Sequence, residues 1–520
     1  MIIMTTAALR SSEGRWVMVT TILASAMAFI DGTALNVVLP ALQHNLNASA
    51  ADLFWVLNAY LLMLASLILI GGTLGDRLGR KKIFMAGIFV FILGSAACGF
   101  AGTATLLIIF RMIQGIGGAL MIPGSLSLIT SSINENERGK AIGTWSAITT
   151  LVTMGGPILG GALADAGLWR YIFFINVPIG VAALVFLALK VRESRETEGD
   201  QRLDYPGAVL TAAGLALLTF GFLRMPLLGF RNPEVYGTIA GGVILLIVFI
   251  VVENKSRHPM LPVHLFKNLT FTGTNLLTFF LYAGLGAGML FLSLDMVQVQ
   301  GYTQLQSGLT FLPFTVLMIT IARFAGSLAD KYGPRLFLVV GPCVAGGGLL
   351  LLSFVKQTQG AADYWTTFFP GLVGLGLGMS ITVAPLTAAV MGSVSDHLSG
   401  TASGVNNAIT RIAGVFANAI FGALAVLFFS GAVQREVSKL PLNSSQQEAV
   451  IAQTVNLGNA SVPAGIDSAH QDAIRKVYKD GFIAAYGNIM RLSAGLGFMG
   501  GLMGFLFIRK RPAAAPPAGQ

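Results

Sequence analysis

The stretch GGTLGDRLGRKK at residues 71–82 has a second, related version, AGSLADKYGPR, at residues 325–335. Four positions keep the same residue in both versions, each pair being 254 residues apart: Gly72, Leu74, Asp76 and Gly79 in the first, and Gly326, Leu328, Asp330 and Gly333 in the second. A weaker pair, RGKAIG at 138–143 and SGTASG at 399–404, shares the pattern Gly-x-Ala-x-Gly. These repeats predict two homologous halves, an arrangement typical of transporters whose binding site lies between the halves.

The composition around the repeats is that of an integral membrane protein. Of the 520 residues, 54% are hydrophobic and only 11% are charged, whereas soluble domains carry about 25% charged residues. A spanning helix needs roughly 20 mostly apolar residues. The sequence therefore predicts an all-α membrane protein with fourteen spans, near 16–38, 53–73, 83–102, 104–126, 140–163, 171–190, 206–226, 236–252, 270–294, 305–326, 336–355, 365–390, 402–429 and 484–508.

Lysine and arginine are concentrated on one side of this predicted topology, which is the pattern of a cytoplasmic side. The short loops of the opposite side hold only Arg170, Arg224, Arg231 and Lys356. This distribution explains the formal net charge of +10 without nucleic acid as a partner. It predicts that both termini are cytoplasmic.

The predicted domains follow from the repeats and the apolar runs. Residues 1–190 form an N-terminal six-helix bundle. Residues 269–510 form a C-terminal six-helix bundle, which carries an outer loop at 431–480 whose role the sequence does not indicate. Residues 191–268 supply cytoplasmic linkers and two inserted spans, and the Pro- and Ala-rich tail 511–520 is expected to be disordered.

The repeated loop resembles the signature of the major facilitator superfamily, and four further stretches are similar to motifs of its fourteen-span drug:proton antiporters. They are DGTALNVVLP (31–40), RMIQGIGGAL (111–120), GGPILGG (155–161) and LWRYIFFINVPIG (168–180). Val152 and Tyr171 depart from the Gly and Trp that are usual in those motifs. The resemblance implies a major facilitator fold in a bacterial cytoplasmic membrane, and a multidrug efflux permease that works by alternating access.

Asp31 is the leading candidate for a proton-coupling site. It is the only charged residue between Arg15 and Pro40, and a charge inside the membrane is costly unless it is paired or hydrated. Arg111 in the fourth span is the candidate partner. Three interpretations stay open: a permanent ion pair, a carboxyl group that binds and releases protons, or a counter-ion for a cationic substrate. We favour proton binding, because coupling needs an acid whose surroundings alternate.

Polar residues on several predicted spans are candidates for a substrate cavity: Asn36, Asn58, Gln114, Tyr282, Asp295, Asn407 and Arg411. Gln114 follows Arg111 by three residues, and Asn407 precedes Arg411 by four, so each pair shares one helix face. Asp295 lies near the outer end of the ninth span and would favour cationic substrates if it faces the cavity.

Glycines and charges in the repeated loop predict a cytoplasmic latch, which the resemblance assigns to the outward-open state. Its expected members are Gly72, Asp76, Arg77, Gly79, Arg80, Lys81, Gly326, Asp330, Gly333 and Arg335. The alternative is a basic loop that only sets topology. In the fifth span, Gly156 and Pro157 predict a bend, and Gly160 and Gly161 predict close helix packing. The resemblance implies that this bend seals an exporter against leak.

The expected function is proton-coupled export of hydrophobic or amphipathic small molecules, cations included. Protons, a small-molecule substrate and membrane lipid are the expected partners, joined by a periplasmic adaptor and an outer-membrane channel if the cell is Gram-negative. The alternatives are a dedicated exporter of a metabolite, siderophore or antibiotic, a proton-coupled importer, and a membrane-embedded sensor or enzyme. An enzyme is disfavoured because the sequence has no visible phosphate loop, metal cluster or catalytic constellation, and no cofactor is expected.

Overall fold

The computed structural model describes residues 8–193, 204–256, 259, 261, 263–394 and 399–508, and this part of the chain is predominantly α-helical. Thirteen helical stretches in it are long and apolar enough to cross a membrane. The fifth predicted span coincides with a helix whose apolar part, Leu151–Asp165, is shorter than the others. The all-α membrane fold is therefore confirmed, while the count of fourteen spans and the cytoplasmic termini stay predictions. Below, "outer" means the side that the charge distribution predicts to face outside, and "inner" means the opposite side.

Seven helices form the N-terminal half, with the sixth predicted span divided into a short and a long helix. They are α1 Ser12–Leu46, α2 Ala50–Leu78, α3 Arg80–Phe100, α4 Ala104–Ser132, α5 Glu135–Asp165, α6 Tyr171–Phe174 and α7 Asn176–Lys190. Local sequence fixes several helix ends. The side chain of Ser49 accepts a hydrogen bond from the backbone N–H of Asp52, whose carboxylate accepts one from Ser49 in return, and this capping box begins α2.

Two inserted helices and the C-terminal half follow. The inserted pair is α8 Tyr205–Leu228 and α9 Pro233–Lys255. The C-terminal half contains α10 Leu269–Gln298, α11 Gln304–Leu309, α12 Leu312–Tyr332, α13 Arg335–Leu352, α14 Tyr364–Gly392, α15 Ser399–Val437, α16 Ser444–Ala452 and α17 Ser468–Phe507. The predicted outer loop 431–480 is thus shorter than expected, because α15 and α17 both continue beyond their predicted spans into the outer side.

The two halves pack as two bundles with matching contacts. In the N-terminal bundle α4 packs on α2 and α3, and α1 packs on α5 and α7. In the C-terminal bundle α14 packs on α12 and α13, and α17 packs on α10 and α13. The helix pair α2–α4 in one half therefore corresponds to α12–α14 in the other, as the sequence repeat predicts.

The repeated loop has the same structural role in both halves. Gly79 and Gly333 have φ angles of 115° and 86°, which L residues rarely adopt, so each glycine lets the chain turn sharply between two helices. The Lys81 ammonium then donates to the carbonyls of Ala188 (3.1 Å) and Val191 (2.7 Å) at the end of α7. The basic residue 254 positions later, Arg335, donates to the Phe505 carbonyl (2.8 Å) near the end of α17. Each pair places a positive charge at the negative end of a helix dipole.

These contacts stay inside one bundle, so they fix each bundle's inner end. The side chains of Asp76, Arg77 and Asp330 lie outside the described residues, as does the tail 511–520. A latch between the bundles therefore remains a prediction. Glu193 adds a contact that the sequence did not indicate: its carboxylate accepts hydrogen bonds from the backbone N–H groups of Lys81 (2.9 Å) and Lys82 (3.1 Å) at the start of α3.

The inserted pair lies against the seam between the two bundles. Helix α8 contacts both α2 and α15, and α9 packs mainly on α8. Leu215 of α8 packs in one apolar cluster with Leu62 and Ala65 of α2 and with Phe416 of α15. In the most apolar stretch of α9, only 17% of the residues are buried within the protein. Most of that helix therefore has the exposed apolar surface expected of a helix that faces lipid.

Candidate functional site

The centre of the N-terminal bundle holds a closed network of three side chains. Arg111 Nη1 donates to Asp31 Oδ2 (2.5 Å) and to Gln114 Oε1 (2.8 Å), and Gln114 Nε2 donates to Asp31 Oδ1 (2.9 Å). The side chains of Asp31 and Arg111 are each 1% exposed. The predicted pair is therefore formed, and both carboxylate oxygens are satisfied, which is what a buried charge requires.

The backbone and an aromatic ring hold the guanidinium from its other sides. Arg111 Nε donates to the Val56 carbonyl of α2 (3.3 Å), and the Arg111 Cζ atom lies 4.4 Å from the centre of the Tyr60 ring. Cation–π contacts of this kind are stronger away from water. Arg111 thus has four partners besides Asp31, namely Gln114, Val56, Tyr60 and, at 6.0 Å, the ring of Phe173.

Arg411 approaches this network from the opposite bundle. It lies on α15, which packs on α2 of the N-terminal bundle and on α10 of its own bundle. Arg411 and Tyr282 of α10 are half-buried, as is Asn36 on α1. The charge of Arg411 acts on the phenol groups of both Tyr60 and Tyr282, which places it in the neighbourhood of the Tyr60 ring that contacts Arg111.

Three other candidate cavity residues have different surroundings. Asn407 is exposed one turn before Arg411. Asn58 is fully buried in the α2–α15 seam, between Phe54, which packs on Gly422, and Leu61, which packs on Gly414. Neither polar atom of its side chain has a hydrogen-bond partner among the described residues.

Asp295 has no exposed surface and lies at the outer end of α10. Its Oδ2 accepts from Gln300 Nε2 (3.1 Å), and Gln300 in turn accepts from the backbone N–H (2.9 Å) and the hydroxyl (3.0 Å) of Thr358. In this conformation Asp295 is therefore tied to the outer loop between α13 and α14, and direct contact with a substrate would require a different conformation.

The glycines of the fifth-span motif bring α5 against α1 on one side and against α11 on the other. A Cβ atom at Gly156 would collide with the Thr33 hydroxyl, and one at Gly160 would lie 3.0 Å from Ala34 Cα. A Cβ atom at Gly161 would collide with the backbone of Gln304 and Leu305 of α11. From the other side, a Cβ atom at Gly308 of α11 would collide with the Pro157 carbonyl of α5. Because α5 and α11 belong to different bundles, this contact closes the outer side of the molecule.

An acidic side chain that the sequence did not single out reinforces the closure. The two carboxylate oxygens of Asp165, at the end of α5, accept hydrogen bonds from the backbone N–H groups of Gln304 and Leu305, both at 2.8 Å. The carboxylate thus caps the first turn of α11 from the other bundle. The only sequence signal was an acid at the end of a predicted span, and its partner is far away along the chain.

Gly161→Ala should weaken the contact between α5 and α11. The added methyl group would meet main-chain atoms that cannot rotate away, and overpacking of this kind costs about 1–3 kcal/mol. That cost should lower the population with a closed outer side by about tenfold. Distances between spin labels at the outer ends of α5 and α11 measure the change.

Gly155→Ala is the matched control, because a Cβ atom there would find no atom within 4 Å. It lies in the same motif and changes the helix propensity equally. An equal change in both variants would show that the α5–α11 contact does not hold the outer side closed.

Comparison with known proteins places the chain among transporters. The family model described as Major Facilitator Superfamily matches residues 21–418. The chain is 30% identical to the "Tetracenomycin C resistance and export protein" of Streptomyces glaucescens, over 93% of this chain and 89% of that protein. It is 31% identical to the "Multidrug transporter protein MdtP" of Bacillus subtilis (strain 168), over 78% of this chain and 74% of that protein.

Solved structures agree with the fold. A bacterial homologue of the human lysosomal transporter Spinster superposes with a TM-score of 0.66 at 18% identity, covering 97% of this chain and all of the other. At that level of identity the likeness concerns the fold alone. It supports the arrangement of two bundles that the repeats predicted.

Proposed function

Because the chain belongs to the major facilitator superfamily, we propose that it exports hydrophobic or amphipathic small molecules in exchange for protons by alternating access. The protein is a multi-pass membrane transporter and not an enzyme. The observation that carries the proton part of the proposal is the Asp31–Arg111–Gln114 network. It is an ion pair with both partners buried inside a membrane-spanning bundle, where an acid is costly and marks a functional site by default.

The geometry of the network suits a proton switch. A proton on Asp31 removes the charge that holds Arg111 Nη1, while Gln114, Val56 and Tyr60 keep their contacts with the guanidinium. Arg111 therefore has somewhere to stay when Asp31 is neutral. These contacts are neutral, so they lower but do not abolish the cost of leaving Arg111 without its counter-ion.

A short physical route joins Asp31 to the outer closure. Two residues after Asp31, the Thr33 hydroxyl donates to the Thr153 carbonyl of α5 (3.0 Å), and Gly156 and Gly160 of α5 rest on Thr33 and Ala34. The next residue, Gly161, rests on α11 of the opposite bundle. A shift of α1 on protonation would thus reach the contact between the bundles through one intervening helix.

Exchange follows if protons and cargo favour opposite conformations. A ligand shifts a conformational equilibrium only by its difference in affinity for the two states. In the proposal, ionised Asp31 stabilises the outward-closed state described here and lets cargo bind from the inner side. After cargo has left, Asp31 takes up a proton at the outer side, and release of that proton to the inside restores ionised Asp31 and the outward-closed state.

The cargo class rests on the two curated relatives, of which one is named for multiple drugs and the other for a single antibiotic. The relative named for tetracenomycin C favours the alternative of a dedicated antibiotic exporter. A resistance panel in an efflux-deficient host separates the two proposals: a multidrug exporter protects against several unrelated compounds, whereas a dedicated one protects against a single chemical class.

The test of proton coupling is dye transport into everted membrane vesicles. An imposed acid interior should drive uptake, because the vesicle interior corresponds to the outside of the cell. Collapse of the gradient with a protonophore should stop uptake within the same experiment. Uptake that ignores the gradient would refute proton exchange and leave only the transporter assignment.

A further inference from the structure

The outer segment between α15 and α17 lies across the outer ends of both bundles. We call it the outer lid and define it as α16 (Ser444–Ala452) with the 3₁₀ turn Gln453–Asn459 that follows. Its chain is connected to the C-terminal bundle at both ends. The 3₁₀ turn contacts α10, α15 and α17 of that bundle, but it also contacts α2 of the N-terminal bundle.

An amide cluster connects the lid to the N-terminal bundle through Gln43 of α1. Gln43 Nε2 donates to the Asn456 carbonyl (3.2 Å), and Gln43 Oε1 accepts from Asn459 Nδ2 (3.0 Å). The same Oε1 atom accepts from Gln298 Nε2 of α10 (2.9 Å). One glutamine of the N-terminal bundle is therefore held by the lid and by the C-terminal bundle at once.

The lid is seated firmly on the C-terminal bundle. Leu457 is 1% exposed and has φ 53° and ψ −134°, a conformation that a leucine adopts only when its surroundings impose it. Val450 is fully buried, and its carbonyl accepts a hydrogen bond from the Tyr478 hydroxyl of α17 (2.9 Å). Gly458 lies so close to Gln298 that a Cβ atom there would be 2.6 Å from its Oε1.

The opposite edge of the lid is more loosely packed. Below Val455 lies a cavity of about 220 Å³, whose other walls include Phe54 of α2, Leu223 of α8 and Val426 of α15. At Gln43 the lid meets the N-terminal bundle through neutral hydrogen bonds. Such bonds exchange readily with water, and each is worth about a fivefold factor in an equilibrium.

We infer that the outer lid is a strap that holds the molecule closed to the outside and releases Gln43 when cargo leaves. The inference rests on the alternating access proposed above. The lid packs more extensively on the C-terminal bundle than on the N-terminal bundle, so it stays on the C-terminal bundle. The hydrogen bonds of Gln43 break when the outer ends of α1 and α10 move apart.

The first test measures the distance between the outer ends without requiring transport. Spin labels at His44 and Lys356, both exposed, report the separation of the bundles in a background where Cys98 and Cys343 are alanine. Gln43→Leu removes the three hydrogen bonds that hold Gln43 to the lid and to α10. This variant should raise the population with a long label distance about fivefold or more.

A matched control accompanies this variant. Asn45→Leu changes an exposed amide on the same helix that bonds only to the Ala41 carbonyl of its own helix. A distance distribution of Gln43→Leu that matches the unmodified protein would overturn the inference, as would an equal change in the control. Since neither substrate nor gradient is present, the result stands or falls separately from proton export.

The second test locks the lid. A reducible bifunctional thiol reagent joins cysteines introduced at Gln43 and Asn459, and efflux should stop until a reductant cleaves the link. The same reagent on cysteines at Glu436 and Lys439, which already contact each other at 2.6 Å on the surface, should leave efflux unchanged. Efflux through a linked Gln43–Asn459 pair would show that the lid does not need to release.

Discussion

Asp31→Asn should give a folded transporter whose dye uptake no longer responds to a proton gradient. Asparagine keeps the size of the side chain and an oxygen that accepts from Arg111 Nη1, but it cannot bind a proton in the relevant range. The amide N–H₂ must face Gln114, and if the Gln114 amide turns to offer oxygen to it, the bond from Arg111 Nη1 to Gln114 Oε1 is lost. Arg111 also loses its counter-ion, so the expected cost is up to about 3–5 kcal/mol. Gradient-driven uptake in everted vesicles should fall to the level of vesicles without the protein.

Asp472→Asn serves as the control, because that side chain is 91% exposed and pairs only with Arg475. Its uptake should equal that of the unmodified protein. If Asp31→Asn still follows the gradient, Asp31 is not the proton site. If the variant fails to insert or fold, the interpretation of Asp31 as a permanent structural partner of Arg111 gains instead.

Arg111→Met should be the most destabilising substitution in the network. It keeps the bulk of the side chain but leaves Asp31 buried with no positive partner, and breaking a buried pair in this way costs about 3–5 kcal/mol. Thermal unfolding of the purified protein measures the loss. The double variant with Asp31→Asn should recover much of the stability, because it removes the unpaired charge, but it should not recover proton-driven uptake.

Arg224→Met provides the comparison for an exposed pair. Arg224 is 3.0 Å from Glu234 but both side chains are 40% or more exposed, so a loss of only about 0–1 kcal/mol is expected. An equally small loss for Arg111→Met would mean that Asp31 carries no charge in the outward-closed state. In that case the outward-closed state would hold the proton, and the proposal that ionised Asp31 stabilises this state would be wrong.

The sequence was most informative where a motif is repeated or where a charged residue lies in an apolar span. Gly79 and Gly333 recur because each occupies a turn with positive φ, and the repeat exposed that requirement directly. Asp31 and Arg111 were found because charges are rare in spans, and two rare and costly groups of opposite sign are expected to meet. Long apolar runs also located most of the helices, because the thickness of a bilayer fixes the length of a span.

The contacts that close the outer side could not be predicted in the same way. Asp165 and Gln304 are neighbours only because α5 and α11 cross, and Gln43 meets Asn459 only because the outer lid folds back over α1. Asp165 and Gln43 are both polar residues at the end of a span, where polar residues are common, so neither attracts attention in the sequence. Asp295 shows the opposite problem: it attracted attention as a charge in a span, but its local partner Gln300 lies only five residues further along the chain.

The inserted helices have a mechanical consequence for any rocking of the bundles. Helix α8 touches α2 and α15, which belong to different bundles, so it cannot remain fixed to both while they move. Its contacts are apolar, around Leu215, and among the hydrogen bonds of the described residues none joins α8 to either helix. Apolar contacts are non-directional and can slide without breaking specific bonds. Helix α8 can therefore slide against both bundles while they move. A hydrogen-bonding pair introduced on that face would restrain the sliding and slow the movement of the bundles.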